Sequence, residues 1–307
     1  METFPAMPLS QWADTKETLH RFAQVVGKIR LAASVRRNHW WNVPFHLTGR
    51  GITTRPMGTD PIFTIDFDFV SHLLLVQSVT GQATSFPLPG QSVASFYQRT
   101  LQACRAIGAA DLVIARPYPF DLPDRDRPFA EDTEHAAYDP CWATRYWQVL
   151  SQVGTILEQF ASGFSGKISP VHHFWHTFDI AVTRFSDRPV DQPREADPVT
   201  REAYSREVIS AGFWFGDPAF PEPAFYSYTA PEPGGLDGQP LRPAAASWVP
   251  MRGSHLAVLR YDDARAAADP RATALDFLQS AFQAGARLAG WDTGTLCCSG
   301  GVTDPAA

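Results

Sequence analysis

The chain has 307 residues, of which 44% are hydrophobic and 19% are charged, and its formal net charge is −6. These values are typical of a globular protein of about two domains, and they exclude collagen-like, coiled-coil and disordered chains. The acidic balance argues against a nucleic-acid partner. No apolar run reaches the roughly 20 residues that cross a bilayer, so we expect no membrane partner.

The first residues and the cysteines indicate the cellular compartment in which we expect the protein. No basic start with an apolar stretch behind it opens the sequence, which therefore predicts no signal peptide. The four cysteines have no disulfide-framework spacing and predict free thiols in a reducing compartment. Only three of the 26 basic residues are lysines, as in proteins of GC-rich bacteria. We therefore expect a soluble, cytoplasmic bacterial protein.

The first half of the sequence alternates helical and extended patterns. Apolar residues at three- and four-residue steps predict the helices, and strict alternation of apolar and acidic residues predicts the clearest strand. The predicted elements are a helix over residues 14–33, an extended segment over 39–54, strands over 63–69, 73–79 and up to 87, a helix over 93–107 and a short strand over 112–115.

The second half opens with a long polar loop over residues 117–140. Residues 187–243 hold ten of the 26 prolines, which predicts mostly loop in this stretch. The predicted elements are a helix over 147–160, strands over 180–185, 208–215, 224–228 and 256–259, and a helix over 272–288.

The two halves share an order of helix, histidine-containing strand, further strands and helix. Each half has a His-x-Trp motif and an arginine eleven residues after the histidine, namely His39, Trp41 and Arg50, and then His173, Trp175 and Arg184. This order predicts a duplicated unit with a ligand site between the copies. A non-repetitive α+β domain is the alternative.

The predicted fold class is α+β, with mostly antiparallel sheets packed by helices. We expect a first unit over residues 1–120 and a second over 121–295, fused into one compact body. The second unit contains the proline-rich insertion over 187–243. Residues 296–307 are expected to form a flexible tail.

The histidine-rich segment 172–176 is the densest group of residues suited to chemistry. In a strand, His172 and His176 face one way, and the opposite side carries His173, Trp175 and Asp179. The same pattern fits histidines that are hydrogen-bonded in a mixed polar and aromatic core.

A helix over this segment would instead give a spacing that suits a metal. His172 and His176 would then share one helix face. A third ligand would be required, and the candidates by residue type are His135, Glu134 and Glu131. Nothing in the spacing demands a metal, and the sequence leaves the cofactor open.

Two groups of carboxylates are candidates for acid–base chemistry. Asp66 and Asp68 lie on the same side of the predicted strand, about 7 Å apart. Glu134 and His135 lie near the end of a long loop, where functional residues concentrate. The alternatives are a solvated strand face for the first pair and an acidic surface loop for the second.

Arginines and aromatic residues could bind a ligand. Arg50 and Arg184 could form a guanidinium clamp on a carboxylate or phosphate, or they could form salt bridges. Trp214 and Tyr226 lie in aromatic strands that line either a pocket or a core. The sequence contains no phosphate-binding loop, dinucleotide-binding glycine pattern or nucleophile elbow, which argues against the familiar nucleotide-dependent transferases and serine hydrolases.

Seven sequence motifs resemble those of a bacterial family of uncharacterised proteins that is catalogued only as a domain of unknown function. The resemblance extends from Trp12 to Trp291, and it implies no activity and no functional residues. The motifs are His39–Pro44, Asp66–Val70, Glu131–His135, Ser169–His172, Phe178–Phe185, Glu207–Trp214 and Ala224–Tyr228.

Our first functional hypothesis is an enzyme that acts on a small polar or anionic molecule in a cleft lined by histidine, tryptophan and aspartate, with an optional metal. The alternatives are a non-catalytic protein that binds a small ligand or another protein, and purely structural roles for these motifs. The candidate catalytic residues are His39, Asp66, Asp68, Glu134, His135, His173 and Asp179. The candidate ligand-binding residues are Trp41, Arg50, Trp175, Arg184, Trp214 and Tyr226.

Overall fold

The structure, a computed structural model, describes residues 2–109, 116–117, 124–251, 253–304 and 306. Its helices are α1 (Ala13–Ala33), α2 (Val93–Ala106), α3 (Pro140–Ser162), α4 (Pro198–Ala203), α5 (Tyr261–Arg265), α6 (Pro270–Leu288) and α7 (Thr293–Leu296). Its strands are β1 (His46–Leu47), β2 (Gly51–Thr53), β3 (Phe63–Asp68), β4 (Leu73–Ser78), β5 (Ala83–Pro87), β6 (His172–Phe174), β7 (Asp179–Pro189), β8 (Arg206–Trp214), β9 (Ala224–Ala230), β10 (Ser247–Met251) and β11 (Ser254–Arg260).

The strands form two antiparallel sheets. The first is a meander in the order β1-β2-β3-β4-β5, and the second has the order β10-β11-β9-β8-β7-β6. The α+β prediction is therefore confirmed. Among the helices of the described residues, none is long and apolar enough to cross a membrane.

The two sheets meet edge to edge, at β1 of the first and β6 of the second. Phe45 and His173 form an antiparallel bridge, in which each backbone N–H donates to the other residue's carbonyl oxygen, at 2.8 and 3.0 Å. In antiparallel pairing, the next residue of one segment lies beside the preceding residue of the other. His46 therefore lies beside His172, on the face opposite to that of Phe45 and His173.

The four long helices pack on one side of the joined sheets, here called the inner face. On the first sheet, the Phe96 ring of α2 stacks on Phe22 of α1 at 3.9 Å and lies 6.1 Å from Phe67 of β3. On the second sheet, α3 and α6 contact β7, β8 and β9. Gly285 of α6 lies so close to β9 that a Cβ there would be 2.1 Å from Thr229 Oγ1. Buried side chains from Phe4 to Trp291 form one hydrophobic cluster.

Most predicted helices and strands are found at their predicted positions, and two segments need correction. Residues 39–54 are not continuously extended, because His39 and Trp40 have φ of +54° and +59° in a 3-10 turn. α3 begins at Pro140 rather than at 147, because Asp139 accepts hydrogen bonds from two N–H groups of its first turn. The strand predicted over 112–115 lies outside the described residues.

The proline-rich stretch 187–243 contains more structure than the loop predicted for it. The two strands predicted inside it are found as β8 and β9, and the addition is the short helix α4, while the unpredicted β10 lies a few residues after the stretch. In the predicted tail, Cys297 forms a β-bridge with Phe164. The duplication and the division near residue 120 stay predictions, but the two His-x-Trp motifs differ in conformation, since the first forms a 3-10 turn and the second begins in β6.

Candidate functional site

The side of the joined sheets opposite the long helices, here called the outer face, carries polar and aromatic side chains. Strand registers define one row of residues across it, which consists of Asp66, Thr53, His46, His172, Ala181, Gly212 and Tyr226. A second hydrophobic cluster lies on the part of this face formed by β6 to β11, and no helix of the described residues contributes to it.

Asp179 is a carboxylate on this part of the outer face, one strand in from β6. It begins β7, pairs with Trp214 of β8 and is partly exposed. Its two carboxylate oxygens accept hydrogen bonds from the hydroxyl groups of Thr177 and Tyr226. Asp179 is therefore held in place by two neutral donors, without an ion pair among the described residues.

Gly212 makes the contact between Tyr226 and Asp179 possible. Gly212 of β8 lies opposite Tyr226 of β9 in the strand register. A Cβ at position 212 would lie 2.6 Å from both Cζ and Oη of Tyr226. The absence of a side chain thus lets the phenol cross β8 and reach the carboxylate on β7.

Aromatic rings surround Asp179 on the outer face. The Trp214 ring lies 5.6 Å from that of Tyr226 and 5.2 Å from that of Phe220. Phe174 of β6 pairs with Asp179 from the other side. The Tyr228 ring stacks on Tyr226 at 6.3 Å. Since Trp214, Phe174 and Tyr228 are only partly buried, the carboxylate lies in an aromatic surface that solvent reaches.

The surroundings favour the neutral forms of both Asp179 and Tyr226. Burial raises the pKa of Asp179, although the hydrogen bonds from Thr177 and Tyr226 work in the opposite direction. Burial and the neighbouring Asp179 charge raise the pKa of Tyr226. Tyr226 therefore stays a phenol that donates, while Asp179 is the group that can gain or lose a proton.

Asp66 and Asp68 also lie on the outer face, but on the first sheet. Asp68 accepts from Arg50 Nε at 2.7 Å and from the backbone N–H groups of Val70 and Ser71 at 2.9 Å. Desolvation raises the pKa of Asp68, but these hydrogen bonds outweigh it, and the net shift is downward. Asp66 accepts from Thr64 Oγ1 and Gln77 Nε2.

The first-sheet carboxylates do not converge with Asp179. The path from β3 to β7 crosses β2, β1 and β6, which makes four strand spacings or about 19 Å. Asp66, Asp68 and Arg50 thus form a group of their own, in which Asp68 caps a turn.

His173 and Trp175 are buried on the inner side of the sheets. His173 is 0% exposed, its Nε2 is hydrogen-bonded to the Tyr146 hydroxyl, and burial lowers its pKa to about 3. Trp175 is 2% exposed and packs so closely on Gly27 of α1 that a Cβ there would be 2.1 Å from its ring. Both residues lie on the opposite side of the sheets from Asp179.

His39 and Trp41 belong to a separate cluster near the end of β7. The His39 ring lies 4.6 Å from Phe185 and 5.6 Å from Trp41. Its Nδ1 is 3.1 Å from the Glu202 carbonyl oxygen, and its Nε2 is 2.8 Å from Lys167 Nζ. Burial, followed by the charge of Lys167, lowers the pKa of His39.

Glu134 and His135 contact a buried carboxylate, Asp132, and its arginine neighbours. His135 Nδ1 lies 2.9 Å from Asp132 Oδ1, and Arg127 donates to Glu134 at 2.8 Å. Arg21 of α1 also lies 3.6 Å from Asp132. This network attaches the loop to α1 and α2, because Ala94 N–H donates to the Asp132 carbonyl oxygen.

Arg184 lies on the inner face among phenylalanines and is 1% exposed. Its guanidinium carbon is 3.6 Å from the Phe160 ring centroid and 4.2 Å from that of Phe282. Arg50 is exposed on the first sheet, so the two arginines predicted as a clamp have entirely different surroundings.

The proposed metal ligands are also dispersed. Within the described residues, no three His, Cys, Asp or Glu side chains come together as metal ligands. His172 faces His46, while His135 is hydrogen-bonded to Asp132.

Three of the predicted site residues, Asp179, Trp214 and Tyr226, are therefore brought together, and the others occupy separate environments. Sequence reasoning did not select Thr177 and Gly212, which complete this group. The signal for Thr177 was its two-residue spacing from Asp179. For Gly212, it was a glycine inside an apolar strand pattern, which often marks a close approach.

The fold and the outer-face group belong to an α+β protein with two antiparallel sheets joined edge to edge. Residues 4–298 match the model of a family of unknown function, DUF5996, and the chain belongs to that family. No curated protein and no solved structure matches the chain.

Proposed function

We propose that the protein is an enzyme that acts on a small polar or anionic molecule held on the outer face over Asp179, Trp214 and Tyr226. The observation that carries this proposal is Asp179, a partly exposed residue whose carboxyl pKa is raised by burial and whose carboxylate is held by two hydroxyl donors on an aromatic sheet face. Carboxyl groups whose pKa is perturbed by their surroundings are frequent at catalytic sites.

In this proposal, the Asp179 carboxyl group exchanges a proton with the bound molecule. A raised pKa moves a carboxyl group toward the pH at which acid–base catalysis is most efficient. When Asp179 has lost its proton, the hydroxyl groups of Thr177 and Tyr226 stabilise the carboxylate by donating to it. When Asp179 is protonated, its own O–H can donate to the bound molecule.

The aromatic side chains hold the molecule and limit its contact with water. Trp214 and Phe174 flank Asp179 on neighbouring strands, and both have partly exposed rings. Such rings bury a large part of a small ligand by stacking while leaving its polar groups for Asp179.

A non-catalytic binding protein is the second candidate. The observation that favours it is that the described hydrogen bonds of the Asp179 side chain come from neutral donors, with no second acid or base among them. A second acid or base, which many proton-transfer reactions require, would then have to come from the ligand itself.

The proposal is tested by screening metabolite mixtures by thermal shift, followed by mass spectrometry of the hits for conversion. Three proteins are compared: the wild type, Asp179→Asn and Asp66→Asn. The last is a matched control, because it removes a carboxylate from the same face about 19 Å away.

We expect turnover of a bound molecule by the wild type and by Asp66→Asn, and a loss of at least about 100-fold in Asp179→Asn. Binding that is lost in Asp179→Asn but retained in Asp66→Asn, without any conversion, would favour the binding protein. If ligands are bound and converted equally well by Asp179→Asn, both the catalytic and the binding role of this site are contradicted.

We also propose a cytoplasmic location in a bacterium. All four cysteines are free, and burial raises the pKa of Cys104 to about 12, so that its thiol is unreactive. Recovery of the native protein in the periplasmic or secreted fraction of its source cell would contradict this location.

A further inference from the structure

Five basic side chains gather where the two sheets meet, and they are here called the Arg/His junction. Its members are Arg30, Arg37, His46, Arg55 and His172. The rings of His46 and His172 meet at 5.1 Å in an edge-to-face arrangement. His172 is 1% exposed, and its Nδ1 has no hydrogen-bond partner among the described residues. A buried ring nitrogen without a partner is costly, and such groups are normally satisfied by an ordered water or a bound ion.

Three arginines from different segments act on the two histidines, since the charge of each lowers the pKa of both rings. Arg30, in the last turn of α1, is 6% exposed and donates from Nε to the Pro44 carbonyl oxygen at 2.8 Å. Arg37 follows α1, and its backbone N–H donates to Asn42 Oδ1 at 3.2 Å. Arg55 comes two residues after Thr53, which pairs with His46. In the described part of the chain, none of these arginines forms an ion pair.

The charges at the junction have the same sign and lower one another's pKa. Burial and the charges of Arg55, Arg30 and Arg37 lower the pKa of His46 to about 4. Burial, His46 and the same arginines lower the pKa of His172 to about 3. Burial and Arg55 lower the pKa of Arg30 to about 10. Concentrated positive charge at a partly buried place is unfavourable unless an anion compensates it.

We propose that the Arg/His junction binds a small tetrahedral oxyanion of the phosphate or sulfate type, held by the three guanidinium groups with the two imidazoles beside it. A guanidinium group can donate two parallel N–H hydrogen bonds to the oxygens of one phosphate. Three guanidinium groups supply more such donors than a single carboxylate needs, which favours a tetrahedral oxyanion. This inference does not depend on the proposed function. The junction lies beside that site, since His172 and Phe174 are two residues apart on the outer-face side of β6.

The test is calorimetric titration of the full chain with sodium sulfate, inorganic phosphate and phenyl phosphate. The variant is Arg37→Gln/Arg55→Gln, whose two positions are exposed, so the fold should be retained. The matched control is Arg105→Gln, which removes an exposed arginine from α2. Thermal unfolding with and without sulfate reports the same binding by mass action.

We expect saturable binding by the wild type and Arg105→Gln with Kd below about 1 mM, and at least about tenfold weaker binding by the double variant. Tighter binding of phenyl phosphate would identify an organic phosphate as the ligand, and equal binding would identify the free oxyanion. Absence of saturation up to about 10 mM, or equal affinity of the double variant and wild type, would overturn the proposal.

The pH dependence of sulfate binding tests the titratable groups at the site, because sulfate keeps its charge over the range used. Besides His46 and His172, these groups include Glu158 of α3, which lines the same pocket as His46 and whose pKa is raised by burial, so Glu158→Gln is the background in which the histidines are measured. A bound anion raises the depressed pKa values of His46 and His172, so binding takes up protons. The sulfate affinity should therefore increase as the pH falls from 8 to 5. A constant affinity over this range would overturn the assignment of the histidines to the site.

Discussion

At the scale of a single residue, two opposing effects act on the pKa of the Asp179 carboxyl group. Burial favours its protonated form, while two hydroxyl donors favour the carboxylate, and the net effect is a raised pKa. A carboxyl group in this situation costs stability whenever the pH forces it to ionise. Natural proteins keep such groups where function requires them.

This cost predicts the behaviour of Asp179→Asn. The unfolded chain loses the Asp179 proton before the folded one does, so the wild type loses stability as the pH rises from the ordinary aspartate pKa to the raised value. The asparagine variant avoids this loss. We expect its free energy of unfolding relative to the wild type to be higher at pH 8 than at about pH 4, measured by urea unfolding. An identical difference at both pH values would mean that Asp179 has an ordinary pKa.

At the scale of single elements, Gly212 of β8 determines where the Tyr226 side chain of the neighbouring strand β9 lies. Gly212 lies between Tyr226 on one side and the Ile180 carbonyl oxygen on the other, and a Cβ there would lie within 2.6 Å of both. The open space over Gly212 is what directs the phenol to Asp179.

Gly212→Ala should therefore displace Tyr226 and lower the free energy of unfolding by about 1–3 kcal/mol. Because the Tyr226 hydroxyl would no longer donate to Asp179, the pKa of Asp179 should also rise further. General strain in β8 would lower the stability without this change in pKa. Gly49→Ala is the control, because a Cβ at that position has nothing within 4 Å. Equal stability of the two variants in urea unfolding would contradict the close approach at Gly212.

The sequence predicted the elements well where the pattern is local. β3 was predicted from the alternation of Phe63–Asp68, and its burial alternates in the same way. The segment 172–176 allowed a strand or a helix, and alternation alone could not tell which strand face is buried. The conformation of His39 has no local signal, since a left-handed histidine depends on its contacts with Glu202, 163 residues away.

At the scale of the whole molecule, the joined sheets create an outer face that no local pattern could predict. The bridge between Phe45 and His173 links residues 128 positions apart, and its register brings His46 beside His172. Asp179, Trp214 and Tyr226 were each candidates from the sequence. Their convergence depends on the registers of β7, β8 and β9.

The burial of several histidines has a consequence for the stability of the whole protein. Burial lowers the pKa of each of the following side chains to about 4 or below: His46, His172, His173 and His176. Their ordinary value is 6.5, so the unfolded chain binds protons that the folded chain does not. Their contribution to stability is complete above pH 6.5 and decreases as the pH falls toward about 4.

We therefore expect the free energy of unfolding to fall by at least about 4 kcal/mol between pH 7 and pH 5, since each neutral histidine contributes up to about 1.4 kcal/mol per pH unit. Urea unfolding at pH 7, 6 and 5 and constant ionic strength measures this change. Sulfate is left out of these buffers, because its binding would offset the loss. A free energy that is constant over this range would show that the histidines are accessible to protons in the folded state.

The carboxyl pKa of Asp179 tests the central claim most directly. It can be followed by carbon NMR of protein labelled at the aspartate carboxyl carbons, with Asp179→Asn to assign the resonance. We predict that Asp179 titrates above the ordinary aspartate value of 3.8 and that its signal responds to ligands found by the metabolite screen. A pKa at or below 3.8, with no response to any such ligand, would contradict a proton-transfer site on the outer face.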